Sequence, residues 1–324
     1  MTGAIVMKSE ANKLRQLIRG MRAAYAKGDN AMAYARDSMN VVENNIVSTL
    51  ISYDLQAGSY VARVEANPQA SQAWCSQAAE SISQALFATQ ELRISDATSI
   101  LELGTGECTT LAGVLDILGD RVSAAYGLDL SWSRIQFGRQ FLKSKKLDAS
   151  LFVGDLFQIP MNDRSVDVVF TSHSLEPNRG RELDAIKECL RVARRAVVLI
   201  EPIFELASSP AQARMTEHGY VRGLKDAASS ISAAILDYRL LPYSSNPLNP
   251  SGVIILGGVS GTHSSDQVWR CPLTGAPLMD LGDVFYSSEV GIGYPVVRQV
   301  PMLRPEHGIV LTHLGDFDHL NRKL

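Results

Sequence analysis

The chain has 324 residues, 46% of them hydrophobic and 20% charged, with a formal net charge of -3. That length exceeds one ordinary domain and suffices for a large core, while a near-neutral balance without a long basic run gives no electrostatic footprint for nucleic acid. The longest apolar stretches are of strand length, which argues against a membrane span; no charged-then-apolar leader opens the chain, which points to the cytoplasm; and Cys75, Cys108, Cys189 and Cys271 form no C-x-x-C pair, so reduced thiols and no bound metal are expected.

Residues 1–91 read as an N-terminal helical region. Leu14, Leu17, Ile18 and Met21 form one apolar stripe, Ile46, Val47, Leu50 and Ile51 a second, and Trp74, Ala78 and Ile82 a third. Such stripes pack on the following domain or across a homodimer interface. Residues 99–108, SILELGTGEC, then join a strand to a glycine turn. Ile100, Leu101 and Leu103 read as a strand buried on both faces, Gly104 and Gly106 let the backbone pass close to a ligand, and Leu111, Val114, Leu115 and Leu118 continue as a helix. A dinucleotide fingerprint G-x-G-x-x-G would need a third glycine at 109, where Thr109 stands.

Residues 121–131 read as a second strand ending in Asp129, with Ser131 capping the next helix. An acidic side chain at that tip can accept both hydroxyls of a ribose. Residues 149–160 hold a third strand ending in Gly154 and Asp155, residues 163–177 a fourth, and residues 194–202 a fifth, with Leu183, Ile186, Leu190 and Ala193 as the helical crossover between the last two. Two more strands are read at 234–240 and 253–256, around a proline-rich turn at 244–252.

The order Glu102, Gly104, Gly106 resembles the E/D-x-G-x-G-x-G signature of class I S-adenosylmethionine-dependent methyltransferases, with Cys108 at the last glycine, a position where a small residue can pack helix on strand. The resemblance extends over residues 96–258. It implies an α/β fold, a doubly wound Rossmann-like seven-stranded sheet of order 3-2-1-4-5-7-6 with one antiparallel edge, in a domain spanning 92–262. It also implies S-adenosylmethionine as cofactor: Glu102 toward the methionine end, Gly104, Thr105 and Gly106 in the turn, Asp129 and Leu130 at the ribose, Asp155 at the adenine amino group, Leu156 and Ile159 flanking the base, and Ser172 completing the set. Upstream, YDLQAGSY resembles the Y-D-x-x-A-x-x-Y segment of small-molecule methyltransferases, which implies that Tyr53 and Tyr60 help close the pocket; both tyrosines also suit a core.

A sulfonium methyl group is already activated, so alignment supplies most of the acceleration. A hydroxyl acceptor needs a base as well, and His173 after the fourth strand and His218 in the segment 204–224 are the candidates. Glu176 and Glu201 are placed to meet substrate hydroxyls or a cationic acceptor, and Arg214 and Tyr220 converge on the substrate from the same segment as His218. Methyltransferases of amino nitrogens carry N/D-P-P-Y/F after the fourth strand; Thr171-Ser172-His173-Ser174 stands there instead. The expected function is therefore O-methylation of a small molecule or glycan unit in a biosynthetic pathway. A non-catalytic cofactor-binding scaffold that regulates a partner is the alternative, and RNA or protein methylation a minor one.

The tail, VWRCPLTGAPL at 268–278 and GYPVVRQVPML at 293–303, resembles the small zinc-ribbon activator subunits of tRNA and release-factor methyltransferases. Of the four metal cysteines only Cys271 remains, with Thr274, Ser287 and Val290 at the other places, and one thiolate cannot hold a tetrahedral zinc. Residues 263–324 are thus expected to be a small, β-rich, metal-free relic of that ribbon, with Val296, Val300, Met302 and Leu303 packing in place of the metal.

Overall fold

A computed structural model describes residues 2–40, 46–89, 98–258 and 267–316. The boundaries expected at 91/92 and 262/263 lie outside these residues, as does the side chain of Ile46. By its internal contacts the chain divides into two units, Met1–Ser59 and Tyr60–Leu324. The first holds helices α1 (Thr2–Ala26), α2 (Ala31–Met39) and α3 (Ile46–Leu55). Asn30 caps α2 by accepting from the Met32 and Ala33 amides, and Met21, Ala31 and Ala35 form a small core with Leu17, Met39, Ile51 and Leu55 against it. Among the described residues, no helix is long and apolar enough to cross a membrane.

The second unit is built on a seven-stranded sheet of order β3-β2-β1-β4-β5-β7-β6. Its strands are β1 (Thr98–Leu103), β2 (Val122–Asp129), β3 (Ser150–Val153), β4 (Val166–Ser172), β5 (Ala193–Pro202), β6 (Ile235–Leu240) and β7 (Ser251–Gly257). The expected order is the observed one. The antiparallel strand is β7, which sits one place in from the edge, between β5 and β6. Period-two alternation fills both faces: on β5, Val197 and Leu199 enter one core cluster while Ala196, Val198 and Ile200 enter the other. Helices α6 (Thr109–Leu118), α7 (Trp132–Lys145) and α8 (Glu182–Val192) make the crossovers. Ahead of them, α4 (Ser59–Ala66) leads into α5 (Pro68–Ala88), which buries Cys75, Ala78, Ala79, Ile82 and Ala85 against the sheet side of α6. Helices α9 (Ser209–Glu217) and α10 (Leu224–Ser230) lie between β5 and β6.

The tail forms a second, five-stranded antiparallel sheet from β8 (Met279–Asp280), β9 (Val284–Ser287), β10 (Ile292–Val297), β11 (Val300–Pro301) and β12 (Ile309–Val310). It adds onto the edge of the main sheet: Met302 bridges Val153 in parallel, and the Leu303 amide donates to the Val153 carbonyl at 2.8 Å. Trp269 seals the junction edge-on, its ring 5.0 Å from Phe152, 5.3 Å from Phe285 and 5.9 Å from Tyr126. Where the ribbon's metal was expected to be replaced by apolar side chains, the group beside Cys271 is the Tyr294 hydroxyl, 3.2 Å from the sulfur. Leu303 is fully buried in the same core cluster as Cys271 and Tyr294, with Val296 packed against it, whereas Val300 is buried in the other cluster of the main sheet, with Met302 against it.

Candidate functional site

The carboxyl ends of β1, β2 and β3 meet at the glycine turn. Thr105 anchors it by donating its amide to the Leu128 carbonyl at 2.9 Å and its hydroxyl to Glu102 at 2.6 Å. Glu102 is 2% exposed, and burial pushes its carboxyl up to about 8, with Asp129 adding to the shift and the Thr105 hydroxyl opposing it. The two oxygens of Asp129 accept from the amides of Gly106 and Ser131, each at 2.8 Å. A carboxylate has about four lone-pair sites, so the two hydroxyls of a ribose can still be received. Burial raises the Asp129 carboxyl against the pull of Arg134 and those amides.

Gly104 sits at φ +69, and a Cβ there would fall 2.3 Å from the Cβ of Ser174. Gly104→Ala is therefore expected to add about 1–2 kcal/mol of strain and to weaken cofactor binding by about tenfold or more, measured by calorimetry. Cys108 also lies in the left-handed region, at φ 58, fully buried, with its sulfur against Gly138. A glycine suits this position mainly because of its backbone conformation, a different reason from the helix-on-strand packing read from the sequence.

Asp155 follows β3, and the Gly154 amide donates to the Asp129 carbonyl, so the three acidic positions lie at adjacent strand ends. One Asp155 oxygen accepts from the Phe157 amide at 2.9 Å, which makes it the pivot of its own turn. Leu156 and Ile159, expected to flank a base, are instead buried in the core cluster, 7% and 1% exposed. Leu130 is half-buried. The Ser172 hydroxyl accepts from the Trp74 indole at 3.2 Å and meets Thr110 at 3.4 Å, so it ties β4 to α5 and α6 rather than facing the turn alone.

Beyond β4 a second polar group assembles. His173, at φ 56, sets its Nδ1 2.8 Å from Glu176 and its Nε2 2.7 Å from the hydroxyl of Ser251, while Trp74 packs edge-on to its ring at 5.2 Å. Burial lowers the affinity of the imidazole for its proton, but the carboxylates of Glu176 and Glu201 outweigh it and the net shift is upward. Glu176 is shifted downward in spite of its burial, by His173, Tyr220 and Asn249. Glu201 was expected at the substrate; it is fully buried and accepts the amides of Ser174, Leu175 and Glu176, each at 3.1 Å. It braces the loop from within, and burial pushes its carboxyl up to about 7 against the pull of His173.

Arg214 reaches the same group: its guanidinium lies 5.6 Å from the Tyr220 ring centroid, and the neighbouring Val221 amide donates to the Glu176 carbonyl at 3.0 Å. His218 does not join it. It is exposed at the end of α9, with Nδ1 on the Arg214 carbonyl and its ring 5.4 Å from Tyr220. Tyr53 stands on α3 of the first unit, half-buried. Tyr60 stands in the second unit, with the Arg134 guanidinium 4.8 Å from its ring centroid and the neighbouring Val61 amide donating to buried Glu107 at 2.7 Å.

Four residues of the site were missed: Ser251, Asn249, Ser174 and Arg134. Ser251 was within reach, since strand order put the seventh strand beside the fifth, but the strand was read from 253 rather than 251. Arg134 carries no signal beyond its place in the first turn of a helix.

Residues 100–196 match the family model of a methyltransferase domain. That match takes in β1, β2, β3, β4 and the start of β5, the strands that carry the glycine turn and the acidic strand ends. No curated protein matches the chain. Among solved structures, it is similar to a chain in the complex of a Haloferax volcanii methyltransferase activator with a methyltransferase, at 15% identity over 56% of this chain and 90% of that one, TM-score 0.43. It is also similar to a methyltransferase of the sarcosine dimethylglycine type from Galdieria sulphuraria (14%, 54% and 85%, TM-score 0.40) and to one from Aquifex aeolicus (16%, 50% and 82%, TM-score 0.37). The groups at these strand ends fit S-adenosylmethionine, the cofactor that the sequence resemblance implies. A turn of left-handed glycines allows close approach, Asp129 keeps acceptor capacity, and the buried Ser174 hydroxyl beside Gly104 has no partner among the described residues.

Proposed function

We propose that this methyltransferase acts on an oxygen of a small molecule or sugar unit, with His173 as the base. The cofactor supplies an activated methyl group. The observation that carries the reading is the chain Glu176, His173, Ser251 at the carboxyl edge of the sheet, with contacts of 2.8 and 2.7 Å. Glu176 orients the ring and steadies its charged form, so Nε2 is the nitrogen that receives a proton. Because Ser251 already occupies Nε2, the acceptor proton passes to the Ser251 oxygen while the serine proton moves to the imidazole. Trp74 packs edge-on to the imidazole and Glu201 braces the loop that carries Glu176, which holds the pairings in place.

The test is transfer of a labelled methyl group to matched phenol, sugar and amine acceptors, with the product bond identified by mass spectrometry. Labelled ethers are expected. Label on nitrogen alone would overturn the reading, and tight cofactor binding without transfer to any acceptor would favour the scaffold alternative.

We further infer that the tail is a metal-free relic of an activator ribbon, fused to the enzyme it once served. Its support is the turn at Cys271, whose carbonyl accepts from the Gly275 amide at 2.8 Å and whose amide donates to Ala276 at 2.6 Å, together with the Tyr294 hydroxyl at the sulfur.

A further inference from the structure

We infer that the acceptor is an acid, its carboxylate seated by Arg214 and a neighbouring hydroxyl donating to the side-chain oxygen of Asn249; this rests on the methyl-transfer reading above. Nη1 of Arg214 and Oδ1 of Asn249 are both buried, and among the described residues neither has a hydrogen-bond partner. Both belong to one cluster around Glu176. The Asn249 amide nitrogen points at Glu176, 3.5 Å from Oε2, so its oxygen must face the other way, because an ionised carboxylate only accepts. Arg214 lies over the Tyr220 ring at 5.6 Å from its centroid, and the adjoining Val221 amide donates to the Glu176 carbonyl at 3.0 Å, which brings this segment to Glu176.

A buried donor or acceptor left unmade costs roughly 1–3 kcal/mol, and more when charged. Two such atoms on one cluster, one a cationic donor and the other a neutral acceptor, define a complement: an anionic oxygen next to a group bearing hydrogen. Glu176 does not supply the first, since among the described residues Nη1 of Arg214 has no hydrogen-bond partner. A guanidinium matches a carboxylate in plane and in charge, and the hydroxyl to be methylated then lies on the His173 side of the same glutamate. Hydroxylated aromatic acids and sugar acids share this chemistry.

The probes are 3,4-dihydroxybenzoate and glucuronate, each paired with its uncharged amide, titrated by calorimetry into the full chain saturated with S-adenosylhomocysteine at fixed ionic strength. At least one acid is expected to bind about tenfold or more tightly than its amide, and the responding acid tells the aromatic from the sugar class. Arg214→Gln should bring the ratio to about one, and Asn249→Asp should weaken the acid by about tenfold through like charge. Arg214→Lys, which keeps the charge without the planar fork, should retain part of the preference and controls for folding. If neither acid outbinds its amide, or if Arg214→Gln keeps the preference, the inference is wrong. The affinity of the wild-type chain for S-adenosylhomocysteine, measured first, reports separately on the methyl-transfer reading beneath it.

Discussion

Glu102→Gln is expected to make the protein more stable at pH 8 and to cost it most of its cofactor affinity. The carboxyl is held at about 8 in the fold against an ordinary value of 4.5, so between those limits the folded chain keeps a proton that the unfolded chain releases. Stability therefore falls as pH rises through that window, and above it the full cost is carried. Gln has the same shape, still accepts the Thr105 hydroxyl, and never ionises. The gain at pH 8 is on the order of 3 kcal/mol, or several degrees in melting temperature for a unit of this size, with little gain near pH 5. A cationic amine on the cofactor would draw the proton off Glu102, and a glutamine that cannot ionise in response should weaken cofactor binding by roughly tenfold to a hundredfold. Thermal unfolding at pH 5 and pH 8, with calorimetry against S-adenosylmethionine, checks both halves. An equal gain at both pH values, or an unchanged affinity, would refute the assignment.

His173→Ala is expected to lower kcat by roughly a hundredfold to ten-thousandfold, the range of a positioned base, with cofactor affinity little changed. The pH profile separates this from a folding defect. Because the carboxylates raise the proton affinity of His173, kcat should climb with pH through a midpoint above 6.5, as the imidazolium gives way to the free base. Glu176→Gln removes the largest upward influence and should move that midpoint down while lowering the plateau. Ser251→Ala should flatten the dependence if the serine relays the proton. The raised His173 and lowered Glu176 stabilise the fold together only while both are charged: the Glu176 part is lost as pH falls through its depressed value, the His173 part as pH rises through its raised one. Full activity in His173→Ala at every pH would remove the base from the mechanism.

Much of the architecture was readable because it is written locally. Runs such as Val168 to Phe170 and Val197 to Ile200 are apolar on consecutive residues, which only a strand covered on both faces tolerates, and an acidic residue at each strand end marks the edge where a ligand sits. Side-chain direction at those ends was not readable. Whether Glu201 faces a substrate or the amides of its own loop depends on where residues 174–176 turn, and Leu156 is drawn into the core by a turn whose path no periodicity records. The pairing of His173 with Ser251 joins positions 78 apart in sequence and needs the antiparallel return of β7. The positive φ of Cys108 is invisible in composition, and the contact of Tyr294 with Cys271 exists only after the tail has folded.

The tail's attachment has a further consequence for the cofactor cleft. Leu303 is hydrogen-bonded to Val153, Gln158 to the Pro272 carbonyl, and Met161 is bridged to Trp269, so both flanks of the Asp155 bend are stitched to residues more than a hundred positions later. The base-side rim and the far end of the polypeptide must open as one cooperative segment. Amide exchange at Phe157 and at Leu303 should then share a single opening free energy, and any ligand that grips the tail would steady the bend at Asp155 as well.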